Sequence, residues 1–513
     1  MLEPTIRKLI VYAKEKMHLS SIDAIYVQNQ LLDLFHLSAI ECENIDVEEI
    51  KLMKVPDALM EELLQDIHQW NPSLSDLECS LLLTKVMGLL TPMPSTVIER
   101  FERLEKENPQ LALQDLYDLQ IANNYIQKTA VDKNLYWKTE NQHPDLEITI
   151  NLSKPEKKNA DIAKLVQNEA RNVQYPKCML CIENVGYAGR SNHPARQNIR
   201  VIPLRLGQED WFLQFSPYVY YQQHCIVVCS HHEPMQMGRR IFACLADFVQ
   251  RFPCYFIGSN SELPIVGGSI LNHEHFQGGA HRMPIMDAED DVFISLPHFS
   301  HCKVSFLKWH NSAIRIVSSQ VEELLDCADF IFQTWRNYRD EEAEIIPNSE
   351  HTQHSTVTPI MRKENEHWIL DLILRNNRCN ENYPEGIFHA HREHHHIKSE
   401  GIGLIEAMGM FILPARLQRQ TQELIDLLTS QEDIESYFEN HADLRIHREM
   451  FDACLKQKKR PLSKEDAQRE IRQSINETCR LILENTAVFK KTVEGKQHRK
   501  RFIQHIVKEE EKR

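Results

Sequence analysis

The stretch that decides the fold is Gly267-Gly-Ser-Ile-Leu-Asn-His-Glu-His-Phe-Gln-Gly-Gly-Ala-His281. Successive side chains of a β-strand point to opposite faces, so His273, His275 and Gln277 are predicted to share one face. The pair Gly278-Gly279 lets a backbone or a ligand approach this strand closely. Two imidazoles and an amide on one face therefore indicate a chemical site built on a β-sheet.

Three interpretations of this face compete. The side chains could make structural hydrogen bonds within a polar strand. They could bind a metal, because His-x-His is a frequent ligand pair in zinc and non-haem iron sites. They could act in nucleophilic catalysis at phosphorus, because a neutral imidazole is a good nucleophile near pH 7 and an amide can stabilise phosphoryl oxygens. The last two interpretations are compatible, since two alternating histidines can have different roles.

The sequence around this stretch predicts an α+β fold. Short β-rich runs separated by Pro and Gly occupy residues 199–229, and an amphipathic helix is predicted over 238–252. A second mixed segment has a predicted helix over 320–336 and strands near 357–361 and 368–374, whereas both ends of the chain show helical periodicity. The predicted domains are a helical N-terminal region (1–170), a first β-rich half (171–300), a second half (301–420) and a helical C-terminal region (421–513).

Composition narrows the class of protein. The 513 residues include 59 Lys+Arg and 74 Asp+Glu, a net charge of −15, which argues against a general nucleic-acid binder. No apolar run approaches the roughly 18 residues of a membrane helix, and the N-terminus carries charges where a signal peptide would be apolar. The 13 cysteines are an odd number and include one closely spaced pair, so a reducing compartment is favoured over a disulfide framework. A cytoplasmic enzyme without nucleic-acid or membrane partners is expected.

Several motifs together point to a known family. The run His273-Glu-His-Phe-Gln277 resembles the His-x-His-x-Gln signature of the histidine-triad-related nucleotidyltransferases, specifically of the galactose-1-phosphate uridylyltransferase family. Phe215-Ser-Pro-Tyr-Val-Tyr-Tyr221, Cys178-Met-Leu-Cys181 and Phe388-His-Ala-His391 resemble further segments of that family. The long helical N-terminus and the chain length resemble its class II, bacterial branch. The resemblance implies an antiparallel sheet of two histidine-triad-like halves, flanked by helices and extended by helices at both ends.

The resemblance also implies a reaction and its residues. His275 would attack the α-phosphorus of UDP-glucose, and galactose 1-phosphate would take the uridylyl group from it in galactose catabolism. Gln277 would contact the phosphoryl oxygens, and Ser269 and Asn260 are further candidates for the same cradle. From the residues themselves, Arg200 is a candidate phosphate clamp and Gly278 a point of close substrate approach. A homodimer is what the family implies for assembly.

Metal sites are a separate prediction. Cys178 and Cys181 have the spacing of half a zinc site, with the alternative that they are two buried cysteines without metal. The family resemblance implies His232 (or His231) and His273 as the remaining ligands of a structural zinc ion, and it implies no organic cofactor. The histidines of 389–396, with His354, could form a further metal site, bind the sugar phosphate or pack.

Other functions stay open at this point. One is a related nucleotide hydrolase or phosphorylase that uses the same histidine and gives AMP or ADP. Another is a metal-dependent oxygenase or hydrolase built on His273, His275 and His389. The third is a non-enzymatic helical scaffold.

Overall fold

A computed structural model describes residues 2–40, 45–140, 144–152, 175–350, 352–456 and 458–513. The chain divides into two compact units. The first unit contains the described residues within 1–133, 157–233 and 273–279, and the second contains those within 134–156, 234–272 and 280–513. The four predicted domains stay a prediction, and the predicted boundary at 170 lies outside the described residues.

The α-helices of the described residues are α1 (Leu2–Lys16), α2 (Ser21–Phe35), α3 (Val47–Leu52), α4 (Asp57–Trp70), α5 (Asp76–Leu90), α6 (Pro94–Glu107), α7 (Pro109–Ala122), α8 (Lys128–Val131), α9 (Arg239–Arg251), α10 (Val321–Asn337), α11 (Leu404–Ala407), α12 (Arg416–Thr429), α13 (Ile434–Asn440), α14 (Arg448–Leu455), α15 (Lys464–Thr486) and α16 (Val493–Glu510).

The strands are β1 (Leu135–Lys138), β2 (Glu147–Asn151), β3 (Ile202–Leu206), β4 (Glu209–Phe215), β5 (Cys225–Cys229), β6 (Phe256–Ser259), β7 (His275–Gly279), β8 (Asp290–Ile294), β9 (Lys303–Leu307), β10 (Ala313–Ser318), β11 (Asn348–Ser349), β12 (Thr352–Gln353), β13 (Ser355–Glu364), β14 (His367–Asn376) and β15 (Met410–Pro414).

Local sequence rules explain where several helices of the first unit begin. Pro94 and Pro109 each occupy the first turn of a helix, where a missing backbone N–H costs no hydrogen bond. Ser75 and Glu78 form a capping box at the start of α5, so two of its unpaired backbone donors are satisfied. Within its described residues, the region predicted to be helical contains α1 to α8.

The sheet of the first unit has the strand order β3-β4-β5-β7, and every neighbouring pair is antiparallel. The face that carries Phe276 has an aromatic contact: Trp211 on β4 stacks on Phe276 of β7 with ring centroids 4.5 Å apart. Strand β7 pairs with β5 so that Val228 lies opposite His275 and Ile226 opposite Gln277. The sheet thus fixes the position of the histidine strand.

The second unit contains strands in the order β6-β13-β14-β10-β9-β8, again with antiparallel neighbours. Its strand pairing resembles that of the first unit. In each, three consecutive strands form a meander, and a later strand pairs with the third of them, as β7 does with β5 and β14 with β10. A helix follows the third strand along the chain in both cases, α9 and α10. The predicted α+β class with a large antiparallel sheet and flanking helices is confirmed.

Two strands of a three-stranded sheet, β1 and β2, lie inside the region that the sequence predicts to be mostly helical. Strand β2 is buried along its whole length and pairs antiparallel with β1 and parallel with β15. Its partner β15 is more than 250 residues away along the chain, so local periodicity carried no signal for the pairing.

Membrane-spanning potential was predicted to be absent. No single helix in the described ranges is long and apolar enough to cross a membrane. Helices α5 and α6, which are bent by 55° relative to each other, are together long and apolar enough by length and composition alone.

Candidate active site

Strand β7 places His275 and Gln277 on one face and Phe276 on the other, as the alternation predicts. The Phe276 side chain is fully buried against Trp211. The strand begins at His275, so His273 lies immediately before it. The short buried segment therefore holds the two polar side chains at defined positions on the sheet.

The position of the ring proton on His275 follows from one hydrogen bond. His275 Nδ1 lies 2.8 Å from the backbone oxygen of His273, and because a carbonyl can only accept, Nδ1 must donate. In the neutral ring, Nε2 is then the nitrogen with the lone pair. The side chain is 7% exposed, and burial lowers the pKa of His275, which favours the neutral form near pH 7. This is the ionisation state that a nucleophilic imidazole requires.

Gln277 is held by a histidine that the sequence analysis did not single out. Its Oε1 lies 3.1 Å from Nε2 of His224, which precedes β5. His224 is 1% exposed, and burial lowers its pKa to about 4. The run Tyr220-Tyr-Gln-Gln-His224 has the appearance of a polar turn, and the cross-strand register brings it beside Gln277.

Four residues of the first unit converge on one point, as predicted for a metal site. They are Cys178, Cys181, His232 and His273, whose ligand atoms all lie within 4.8 Å of one another. Cys178 Sγ is 3.5 Å from Cys181 Sγ and 3.2 Å from His273 Nδ1. Cys181 Sγ is 3.1 Å from His232 Nδ1 and 3.7 Å from His273 Nδ1. Of the two histidines considered for the third ligand, the geometry selects His232 over His231.

These separations fit a tetrahedral metal ion. Bond lengths of about 2.3 Å to sulfur and about 2.0 Å to nitrogen place tetrahedral ligand atoms roughly 3.3–3.8 Å apart, and the four separations of 3.1–3.7 Å lie within about 0.4 Å of the values expected for their atom pairs. Burial raises the pKa of the Cys181 thiol to about 11, so a bound cation would be needed to make its thiolate stable near neutral pH. Four protein ligands complete a tetrahedron, which is the arrangement of a structural site. A metal such as zinc could be held here.

His273 connects this ligand group to the candidate nucleophile. Its Nε2 donates to the backbone oxygen of Cys229 at 2.8 Å, which leaves Nδ1 directed to the thiols. Its own carbonyl accepts the Nδ1–H of His275. The residue that belongs to the metal group thus also fixes the tautomer of His275.

The cysteine turn has a further layer of support that sequence reasoning missed. Asn184 Nδ2 donates to the carbonyl oxygens of Cys178 and Cys181 at 2.9 and 2.8 Å. Asn184 Oδ1 in turn lies 2.6 Å from Nε2 of the buried His193. An Asn three residues after the second cysteine is a weak signal by itself, because amides are common in turns.

Arg200 has a structural role instead of the predicted phosphate contact. Its side chain is buried, and burial lowers the pKa of Arg200 to about 10. The guanidinium donates to the carbonyl oxygens of Gly88, Thr91, Pro92, Gln197 and Ile199. Because the buried guanidinium satisfies five carbonyl oxygens, Arg200 holds residues 88–92 and 197–199 together.

The remaining predicted substrate residues fall in different places. Gly278 is part of β7 in the first unit, and its carbonyl accepts from Tyr221 Oη at 3.3 Å. Asn260 and Ser269 belong to the second unit. Asn260 is buried and its Oδ1 accepts the backbone N–H of Leu404 at 2.9 Å, whereas Ser269 is exposed. Their roles toward a substrate stay predictions.

The second histidine cluster does not form a metal group within the described ranges. Among the described residues, the potential metal-ligand group consists of the two cysteines, His232 and His273. Neither His275 nor His389 is part of it. His389 Nε2 accepts from the backbone of Ile402, and His391 stacks on Tyr383. Both ring nitrogens of His354 are already paired, with Asn377 and Ser349.

Known proteins similar to this chain agree with the site. Family models described as the N-terminal and C-terminal domains of galactose-1-phosphate uridyl transferase match residues 17–234 and 248–443. The galactose-1-phosphate uridylyltransferase of Fusobacterium nucleatum is 40% identical over 98% of both chains. That of Bacillus subtilis is 41% identical over 98% of this chain and 97% of the relative. The structure of yeast Ap4A phosphorylase Apa2 covers 58% of this chain and 88% of its own at 12% identity, with a TM-score of 0.29 that supports no conclusion. The chain therefore belongs to the galactose-1-phosphate uridylyltransferase family.

Proposed function

We propose that the protein is a UDP-glucose:hexose-1-phosphate uridylyltransferase that converts UDP-glucose and galactose 1-phosphate into glucose 1-phosphate and UDP-galactose. The observation that carries the proposal is the fixed tautomer of His275, whose Nδ1 donates to the His273 carbonyl at 2.8 Å. Relatives named galactose-1-phosphate uridylyltransferase match this chain over nearly their whole length, and this similarity supports the same activity.

In the first half-reaction, His275 Nε2 attacks the α-phosphorus of UDP-glucose. A P–N bond forms, the bond from that phosphorus to the bridging oxygen breaks, and glucose 1-phosphate leaves with the electron pair. In the second, a phosphate oxygen of galactose 1-phosphate attacks the same phosphorus, and the P–N bond breaks to regenerate the neutral imidazole. The two displacements predict ping-pong kinetics. Because the leaving group is a phosphate, positioning and charge stabilisation matter more than a strong general acid.

Gln277 lies two residues beyond the nucleophile on the same face of β7. We assign its amide N–H groups to the non-bridging phosphoryl oxygens, where charge is redistributed in the transition state. Asn260 and Ser269 stay in the proposal as further donors to the phosphates, and Gly278 as a point of close approach.

A structural zinc ion held by Cys178, Cys181, His232 and His273 is part of the proposal. Bound zinc would supply a rigid cross-link between the cysteine turn and the start of β7 and would keep the thiolates ionised. The His273 carbonyl that orients His275 belongs to a residue of that cross-link. A cytoplasmic location and a homodimer are likewise proposed.

The test uses UDP-glucose labelled in the uridylyl group. With donor alone, we expect protein-bound label that is acid-labile and base-stable, as a phosphoramidate on histidine should be. Adding galactose 1-phosphate should then release the label as UDP-galactose, and initial-rate plots should give parallel lines. Release of the label as free UMP without transfer would instead favour a hydrolase, and absence of bound label would contradict the mechanism.

A further inference from the structure

His224 is a fully buried histidine that the proposed reaction does not use. It lies at the end of the turn that joins β4 to β5, where its backbone N–H donates to Tyr221 O at 3.1 Å and its carbonyl accepts from Ser216 at 2.8 Å. Its Nε2 is 3.1 Å from Gln277 Oε1. The contact links a buried side chain to the one amide placed beside the nucleophile on β7.

Two tyrosines restrict the plane of the His224 ring. Tyr220 stacks on it with centroids 5.2 Å apart and planes at 26°, and Tyr221 contacts it with centroids 4.6 Å apart. Tyr221 Oη also donates to the carbonyl of Gly278, the residue after Gln277. The imidazole is therefore held in one orientation relative to β7, and a rigid ring can impose that orientation on the amide it contacts.

The direction of the hydrogen bond determines which end of the Gln277 amide points away from His224. Burial keeps His224 neutral, with a pKa of about 4, so the ring has one proton. With the proton on Nε2, it donates to Oε1, and the NH₂ group of Gln277 points away from the ring. With the proton on Nδ1, the amide must turn over and present its oxygen instead.

A phosphoryl group can accept hydrogen bonds from only one of the two Gln277 orientations, the one that presents the NH₂ group. Its non-bridging oxygens are acceptors only, so an amide oxygen turned toward them would be repelled, whereas an NH₂ group would donate. Within the described part of the chain, Gln277 Nε2 has no hydrogen-bond partner, so its donors are not committed to the fold. The arrangement in which His224 donates is the one compatible with phosphate binding.

We infer that His224 is a positioning residue that holds the Gln277 amide with its N–H groups toward the phosphoryl oxygens of the substrate. The inference rests on the proposed uridylyl transfer. It assigns to the turn before β5 a function that neither the His-x-His-x-Gln pattern nor the metal ligands provide.

The test compares two substitutions of His224 in the first half-reaction, followed as the burst of glucose 1-phosphate from UDP-glucose. His224→Met is apolar and of similar length, and it should slow the burst by about tenfold or more, approaching the loss expected for a missing transition-state donor. His224→Gln places an amide donor near the position of Nε2 and should restore the rate to within about threefold of wild type. KM for UDP-glucose should change less than the rate of the burst, since the contact matters most in the transition state.

A double-mutant cycle separates positioning from general structural support. Gln277→Met alone should slow the burst by about 10²–10³-fold. If His224 acts through Gln277, adding His224→Met to that variant should slow the reaction by less than about twofold further. Equal fold-losses in both backgrounds would overturn the inference, as would a His224→Met enzyme with the wild-type burst rate.

The chain offers a matched control in the second unit. His447 is also fully buried, and its Nε2 lies 3.1 Å from Gln420 Oε1, the same pair of groups at the same distance. His447→Met should lower the melting temperature but leave the burst rate of the folded enzyme unchanged. If wild-type enzyme gives no burst at all, the proposed function fails. If wild-type enzyme gives a burst and the fold-losses of the His224 and Gln277 variants multiply, only the positioning role of His224 is contradicted.

Discussion

Strands β7 and β14 each pair with the third strand of a meander, β5 and β10, but their polar residues have different contacts. On β7, the His273 carbonyl accepts a hydrogen bond from His275, and His224 contacts the Gln277 amide. On β14, Asp371 has no exposed surface and is bound by two arginines. Arg315 contacts both of its oxygens at 2.6 and 3.0 Å, and Arg362 adds a third contact at 2.9 Å.

The difference shows how one topology supports both a reactive strand and a structural one. Burial of a carboxylate is tolerated because the two guanidinium groups satisfy it completely. The β7 residues are oriented by contacts within their own sheet, and a fixed orientation of His275 and Gln277 is what a reacting group requires. The account therefore predicts chemistry from β7 and stability from β14, and the following experiments test that division.

The largest effect is expected from His275→Ala. Loss of the nucleophile should reduce uridylyl transfer by about 10⁴-fold or more, because no covalent intermediate can form. The melting temperature should change little, and steady-state assays with UDP-glucose and galactose 1-phosphate measure the loss. Substantial uridylyl transfer by this variant would show that another residue is the nucleophile.

The counterpart on β14 is Asp371→Ala. Removing the carboxylate takes the Asp371 acceptor from the buried Arg315 and leaves the buried Arg362 with Glu364 alone, which should lower the free energy of unfolding by about 3–5 kcal/mol. Urea denaturation measures this, and the rate per folded molecule should stay within about threefold of wild type. A folded Asp371→Ala enzyme without activity would contradict the assignment of β14 to stability.

Metal removal should affect both properties of the first unit. Cys181→Ser, or dialysis against a strong chelator, should remove zinc, lower the melting temperature and slow uridylylation by about 10–100-fold, because His273 no longer anchors the His275 ring. Elemental analysis and the donor-only burst measure the two effects. Unchanged stability after loss of the metal would contradict a structural role.

The smallest effect concerns pH. Burial lowers the pKa of His275 below the ordinary histidine value of 6.5. The neutral nucleophile should therefore persist as the pH falls to 6.5, and the burst rate should decline only at lower pH. Single-turnover measurements between pH 5 and 8 would detect the limb, and an acid limb centred above pH 6.5 would contradict the buried, neutral ring.

The fold was predictable where its signals are local. Alternation and the Gly-Gly pair located β7, and helical periodicity located α9 and α10 near the predicted ranges 238–252 and 320–336. Strand β2 was missed although its sequence alternates polar and apolar residues. The burial of both its faces and its pairing with the distant β15 have no local signal in the sequence.

The site was predictable to the extent that its chemistry depends on spacing. The Cys-x-x-Cys pair and His-x-His-x-Gln carry fixed local patterns, and the structure brings the predicted Cys178, Cys181, His232 and His273 together. His224 was missed because its role depends on the register between β5 and β7. Arg200 was misjudged because an arginine beside a strand gives no local sign that five carbonyls surround it.

The most direct test of the account is the mass of the protein after incubation with UDP-glucose alone. We predict an added uridylyl group on the intact chain, located by peptide mapping at neutral or basic pH to the segment containing His275, and lost again on addition of galactose 1-phosphate. An unmodified protein that still makes UDP-galactose, or a uridylyl group on another segment, would contradict the central role of His275.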